Sequence, residues 1–137
     1  MAKDKFHNEV RFALEKEGWK ITDDPLYVKI GQIPMHIDLG AEKLIGAERN
    51  GEKIAIEIKT FGNSSFITAM HEAVGQYIIY REALAIINSD RTLYLAMPDD
   101  LYNYYKDEPL IERVFSVYNF KIIVYQSDNQ SITTWIN

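Results

Sequence analysis

Apolar and polar residues along the chain follow two different periods, and the switches between them mark out its elements. From Lys3 to Glu17, the residues Phe6, Val10, Ala13 and Leu14 recur at the spacing of one buried helical stripe, and Gly18 suits the left-handed position that ends a helix. After Trp19, Asp23-Asp24-Pro25 reads as a turn. Leu26–Ile30 then reads as a short strand closed by Gly31, and Met35–Leu39 as a second strand that carries Asp38. Leu44–Glu48 and Lys53–Thr60 are the arms of a hairpin whose turn, Asn50-Gly51, is the strongest hairpin signal in the chain. A long helix follows, from an N-cap at Ser64 or Ser65 to about Ile87. Thr92–Met97 is apolar enough for a central strand. Pro98-Asp99-Asp100 begins another helical region, and Asp107 with Pro109 restarts it as a helix through Val117, with the aspartate as cap. Lys121–Tyr125 and Ile132–Ile136 form a terminal hairpin about the polar turn Ser127–Gln130. The order α-β-β-β-α-β-α-β-β is an α/β fold with a mixed central β-sheet flanked by helices.

Strand alternation gives Lys53–Thr60 two chemically opposite faces: Ile54, Ile56 and Ile58 on one, Ala55, Glu57 and Lys59 on the other. The carboxylate and ammonium side by side fit either a solvated salt bridge or half of a metal-dependent phosphodiester-cleaving site. With Asn50 and Gly51 as turn residues, Arg49 faces Glu52. An unbroken ladder then sets Leu44 opposite Glu57 and Glu42 opposite Lys59. A bend at Gly40 is what it takes to bring Asp38 toward Glu57 instead. The Glu42–Lys59 alternative is an ordinary cross-strand pair of little energetic weight.

Other polar residues carry two readings as well. His7 and Glu9 lie on the first helix off the centre of its stripe, which favours a solvated surface for both. Ala69, Ala73, Gln76 and Tyr80 share a stripe of the long helix where the alanines permit close approach to the sheet. Gln76 and Tyr80 fit buried hydrogen bonding and substrate contact equally well. The tyrosines at 102, 104, 105, 118 and 125 read as packing residues.

Composition narrows the class. The 137 residues, 47% hydrophobic and 26% charged, suit a single domain over 1–137 with a real core. With no cysteine, thiolate metal sites and disulfides are excluded. No apolar run approaches the ~20 residues of a membrane span, so no membrane association and a cytoplasmic location are expected. The net charge of −5 argues against indiscriminate nucleic-acid binding. Residues 1–60 hold ten Lys/Arg against eleven Asp/Glu and residues 61–137 hold five against nine, so any basic surface belongs to the first half.

Asp38, then Glu57-Ile58-Lys59, then a helix bearing Gln76-x-x-x-Tyr80, on elements in this order, resembles the PD-(D/E)XK superfamily with its restriction-endonuclease-like fold. A narrower resemblance spans almost the whole chain. Lys5-Phe6-His7-Asn8-Glu9-Val10, the segment Glu17-Gly18-Trp19 through Asp24-Pro25, Ile37-Asp38-Leu39-Gly40 through Leu44-Ile45, and Ile56-Glu57-Ile58-Lys59-Thr60-Phe61 are similar to the XisH family. Its mostly cyanobacterial members are named as controlling factors for fdxN element excision, a programmed DNA rearrangement.

This resemblance implies DNA as the site of action, a small XisI-like protein partner and a separate excision recombinase; self-association stays open. The superfamily resemblance implies an endonuclease-type or nickase-type site. Asp38 and Glu57 would hold Mg²⁺ or Mn²⁺, with the Ile58 carbonyl and Glu9 as further ligands. Lys59 would complete the catalytic group, and Gln76 and Tyr80 would line the site. Asp38 follows Ile37 where the superfamily motif has proline. The competing expectation is a catalytically silent module on the same fold that binds a partner protein and recruits or regulates the recombinase.

Overall fold

A computed structural model describes residues 2–35, 44–60, 65–87 and 89–137. The chain runs α1 (Ala2–Lys16), β1 (Lys20–Asp23), β2 (Val28–Ile30), β3 (Ile33–Met35), β4 (Leu44–Arg49), β5 (Glu52–Ile58), α2 (Phe66–Ile86), β6 (Thr92–Pro98), α3 (Asp99–Tyr105), α4 (Pro109–Val117), β7 (Ile122–Gln126) and β8 (Ser131–Ile136). Six strands form one sheet in the order β1-β4-β5-β6-β7-β8. The β5–β6 and β6–β7 pairs are parallel and the others antiparallel, so the sheet is mixed.

The hairpin of β4 and β5 has the register that its turn dictates. Asn50 and Gly51 both take positive φ, 52° and 82°, as a two-residue turn matched to strand twist requires. The ladder runs unbroken from Arg49↔Glu52 to Leu44↔Glu57. The next partners, Glu42 and Asp38, and the proposed bend at Gly40 lie outside the described residues.

Burial separates the two faces of the sheet. Ile54, Ile56 and Ile58 cluster with Val10 and Leu14 of α1 and with Ile123 and Tyr125 of β7. Ala55 clusters with Tyr77, Tyr80 and Leu84 of α2 and with Leu93, Leu95 and Ile122. The alanine stripe of α2 is its buried side, with Ala69, Ala73 and Ala83 all against the core. Ser65 caps the helix through its side chain, which accepts from the Thr68 N–H.

Three expectations change. Lys20–Asp23 is a strand, β1, at the edge of the main sheet. The expected strand Leu26–Ile30 is seen as β2 and pairs with Ile33–Met35, β3, in a separate two-stranded sheet, while the expected strand Met35–Leu39 lies, beyond Met35, outside the described residues. The cap of α4 is Glu108 rather than Asp107, and it makes no side-chain capping bond. The element order is therefore five strands, not three, between the first two helices, and α3 is a separate helix before α4.

Edge strand β1 is fastened by one long-range residue. Arg91 donates to the Ile54 carbonyl at 2.9 Å, to the Asp23 carboxylate at 2.9 Å and to Thr22 Oγ1 at 3.1 Å. Gly46 leaves room for this bridge, because a Cβ there would lie 2.9 Å from an Arg91 guanidinium nitrogen. Arg91→Met is expected to cost about 1–3 kcal/mol, read as a lower urea midpoint at unchanged slope. Gly46→Ala should lower the same midpoint by displacing the bridge, and an unchanged midpoint in both variants would overturn this role.

Candidate functional site at the carboxyl ends of the parallel strands

Strand alternation places Glu57 on the α2 side of the sheet, two residues beyond Ala55. Beyond Ile58 the Lys59 N–H still donates to the Ala96 carbonyl at 2.9 Å, so the backbone stays bound to β6 through the lysine. The Lys59 ammonium lies 3.7 Å from Glu57 Oε1. Glu57 is 0% exposed and Lys59 5% exposed. The solvated salt bridge considered from the sequence is thereby excluded. β4 and β6 flank β5, and the α2 core cluster packs on its Ala55 side, so the pair is held out of water at the end of an interior strand.

The expectation of a solvated Glu9 also fails, since this residue is 3% exposed. It belongs to α1, on the other side of the sheet, and its charge bears on the Tyr125 hydroxyl. Burial first, then the charges of Glu9 and Asp100, push the Tyr125 hydroxyl far above its ordinary range. That hydroxyl makes no hydrogen bond among the described residues. Tyr125 is the site neighbour the sequence reading missed. Its signal was the alternation of Ile123 and Tyr125 in β7, which sets both toward the α1 face. His7, by contrast, is the helix-edge residue expected, with its ring 2.8 Å from the Asp24 carboxylate.

On α2, Tyr80 is buried in the cluster that includes Ala55, and Gln76 presents a buried Oε1 with no hydrogen-bond partner among the described residues. Both stand on the Glu57 side of the sheet. Tyr77, beside them, has its hydroxyl pKa raised by burial first and, as the smallest contribution, by the Glu57 charge, with the Lys121 N–H bond and Arg81 opposing both. Asp38, the expected second carboxylate, lies outside the described residues. Among the described residues no group of three or more His, Asp or Glu is placed to hold a metal ion.

An open cleft of about 570 Å³ adjoins this end of the sheet, lined by Phe6, Thr60, Pro98, Asp100, Tyr104 and Ser127 among others. It follows the carboxyl ends of β5, β6 and β7, where open α/β sheets bind ligands. No Lys or Arg is among its described lining residues. Among the described residues no helix is long and apolar enough to cross a membrane.

A family model described as XisH protein matches residues 1–133. No curated protein matches the sequence significantly. Two crystal structures resemble the fold over nearly its whole length. One is an fdxN element excision controlling factor protein from Anabaena variabilis, 41% identical, with a TM-score of 0.90 over 98% of this chain and 99% of that one. The other is an XisH family protein from Nostoc punctiforme, also 41% identical, with a TM-score of 0.90 over 98% of this chain and 100% of that one.

Proposed function

We propose, on the premise that this chain belongs to the XisH family, that it acts as a controlling factor for excision of a DNA element of the fdxN kind. Within that role it carries a metal-dependent endonuclease or nickase site of the PD-(D/E)XK type. The Anabaena relative, an fdxN element excision controlling factor, supports the first part. The second is carried by one observation, the burial of Glu57 with Lys59 3.7 Å away. A buried ion pair is weak as a stabilising device, and strongly desolvated charges gather where chemistry uses them.

The donor chemistry fits a small hard cation. Glu57 offers carboxylate oxygens in a site shielded from solvent, Asp38 and the Ile58 carbonyl are further oxygen donors of the proposal, and Glu9 would join them from the α1 side, past the end of β5. When bound there, Mg²⁺ or Mn²⁺ supplies polarisation of the scissile phosphate and a water acidified enough to attack it at neutral pH. Lys59 offsets the negative charge that develops on the phosphate oxygens, at an ammonium whose position is set by the β5–β6 ladder. Gln76 and Tyr80 wall the α2 side, where the amide oxygen accepts a hydrogen bond from a bound water or substrate group.

The test is cleavage of plasmid, linear and branched DNA by the purified protein with Mn²⁺. Activity should vanish with chelator and fall at least about a hundredfold in Glu57→Gln. Equal activity in that variant identifies a contaminant and overturns the reading.

The described lining of the cleft favours a second reading. Asp100 lines it and no Lys or Arg is among its described lining residues, whereas a domain that grips DNA alone shows a basic face. In this reading the chain is a catalytically silent module that binds a small XisI-like protein and directs the excision recombinase. Capture of that partner by wild type and Glu57→Gln alike, with no cleavage by either, selects it.

A further inference from the structure

The opposite end of the sheet carries a second concave site with the reverse electrostatic character. A pocket of about 390 Å³ opens beside the amino ends of β6 and β7 and the last turns of α2. Its described lining includes Arg81, Arg91 and Lys121 and no Asp or Glu. In a chain of net charge −5, three half-buried cations around one hollow run against the overall balance.

The two guanidinium groups are held by hydrogen bonds, and Lys121 is held by its backbone. The Arg81 guanidinium donates to the Tyr118 carbonyl at 2.6 Å and sits 5.4 Å over the Tyr77 ring. The Lys121 backbone is pinned on both sides, its N–H donating to the Tyr77 hydroxyl at 3.0 Å and its carbonyl accepting from the Leu95 N–H at 2.9 Å. Arg91 is partly neutralised by Asp23, at 2.9 Å. Arg81 and Lys121 form no ion pair with a carboxylate among the described residues, so neither charge is neutralised in that way. Ser89 and Asn119 add a hydroxyl and an amide to the lining, and Leu84 and Ala85 give it an apolar wall.

We propose that this pocket binds a terminal phosphoryl group, a phosphomonoester dianion, and admits with it no more than about one nucleotide's worth of the molecule that carries it. Fixed Arg and Lys donors with neighbouring hydroxyl and amide groups are the recognition set for such a group. The volume falls within the usual range for small-molecule sites. A duplex backbone is convex and spreads its charge over many phosphates, so it calls for a basic stripe, whereas this is one hollow. The pocket is lined at Thr92 and Leu93, at the start of β6, whereas Glu57 pairs with Leu95 and Lys59 lies beyond it toward the other end of the sheet; it shares no lining cation with that centre and stands independently of the nuclease reading.

Two sources can present this chemistry, a free mononucleotide-like metabolite or the 5′-phosphate end of a DNA strand. Isothermal titration with inorganic phosphate, 5′-AMP and adenosine tests the site. Phosphate and 5′-AMP should bind saturably at one per chain, and adenosine should not. Lys121→Gln, which removes a side chain with no partner among the described residues, should weaken 5′-AMP binding roughly tenfold or more. Arg81→Lys, which keeps the charge and loses the fork, should weaken it less. Glu57→Gln should leave it unchanged. Tighter binding of a short 5′-phosphorylated strand than of its 5′-hydroxyl counterpart assigns the phosphoryl group to a DNA end, and equal binding with retained 5′-AMP affinity assigns it to a free metabolite. No saturable binding of phosphate or 5′-AMP, or undiminished binding in a folded Lys121→Gln protein, overturns the proposal.

Discussion

Lys59→Met is expected to lose about 3–5 kcal/mol of folding stability, a large part of what a domain of this size has in total. The substitution keeps an unbranched apolar stem and removes the terminal ammonium, leaving the fully buried Glu57 carboxylate without the positive charge that stood 3.7 Å away. Glu57→Gln in the same chain removes the charge that was left behind, and most of the loss should return. The two changes are thus strongly non-additive, as a double-mutant cycle by urea denaturation will show. The double variant recovers its fold but not the ammonium, so it should stay as inactive in DNA cleavage as the single variant. A loss below about 1 kcal/mol that adds simply to the Glu57→Gln effect would mean that the pair is solvated, and would remove the main support for a buried reaction centre.

That centre was partly written in the sequence, because its geometry depends on local rules. Asn50-Gly51 fixes the hairpin register, and the register carries through to Leu44 opposite Glu57 with no help from tertiary structure. Alternation then sorts Glu57 from Ile56 and Ile58. What local rules leave open is the company each face keeps. Glu9 reads as solvated on a helical wheel, yet it is buried, on the side of the sheet where its charge reaches Tyr125, more than a hundred residues away. Strand β1 has four residues beside a turn, and its anchor is Arg91, whose bond to Asp23 spans 68 residues. Leu26–Ile30 and Met35–Leu39 showed strand patterns, but a pattern names no partner, and the described parts of these segments pair with each other outside the main sheet. The cationic pocket has no motif at all, since Arg81, Arg91 and Lys121 come from three elements with no fixed spacing.

Alkaline pH should unfold the protein more steeply than its surface charge requires, with Tyr125 and Tyr77 as the main cause. Both are almost wholly buried, and burial is the largest reason that their hydroxyl pKa values stand above the ordinary 10.0. In the unfolded chain each releases its proton near pH 10, while in the folded chain each keeps it to higher pH. The folded state therefore binds the extra proton above pH 10. The contribution of each tyrosine is complete below that pH and is lost above it, at about 1.4 kcal/mol per pH unit. The two should separate by substitution. Tyr125→Phe removes a hydroxyl with no hydrogen-bond partner among the described residues, so stability at pH 7 should change little while the alkaline slope flattens by about one proton. Tyr77→Phe should flatten the slope as well, but at pH 7 it should cost about 1–3 kcal/mol. Its hydroxyl donates to the Leu93 carbonyl and accepts from the Lys121 N–H, both at 3.0 Å, and the phenylalanine leaves both groups unsatisfied. Urea unfolding between pH 7 and roughly 11.5, followed alongside phenolate absorbance, measures both effects. An alkaline slope unaltered in Tyr125→Phe would show that its hydroxyl ionises equally easily in the folded and unfolded chains, and would contradict its placement beside Glu9 in a dry site.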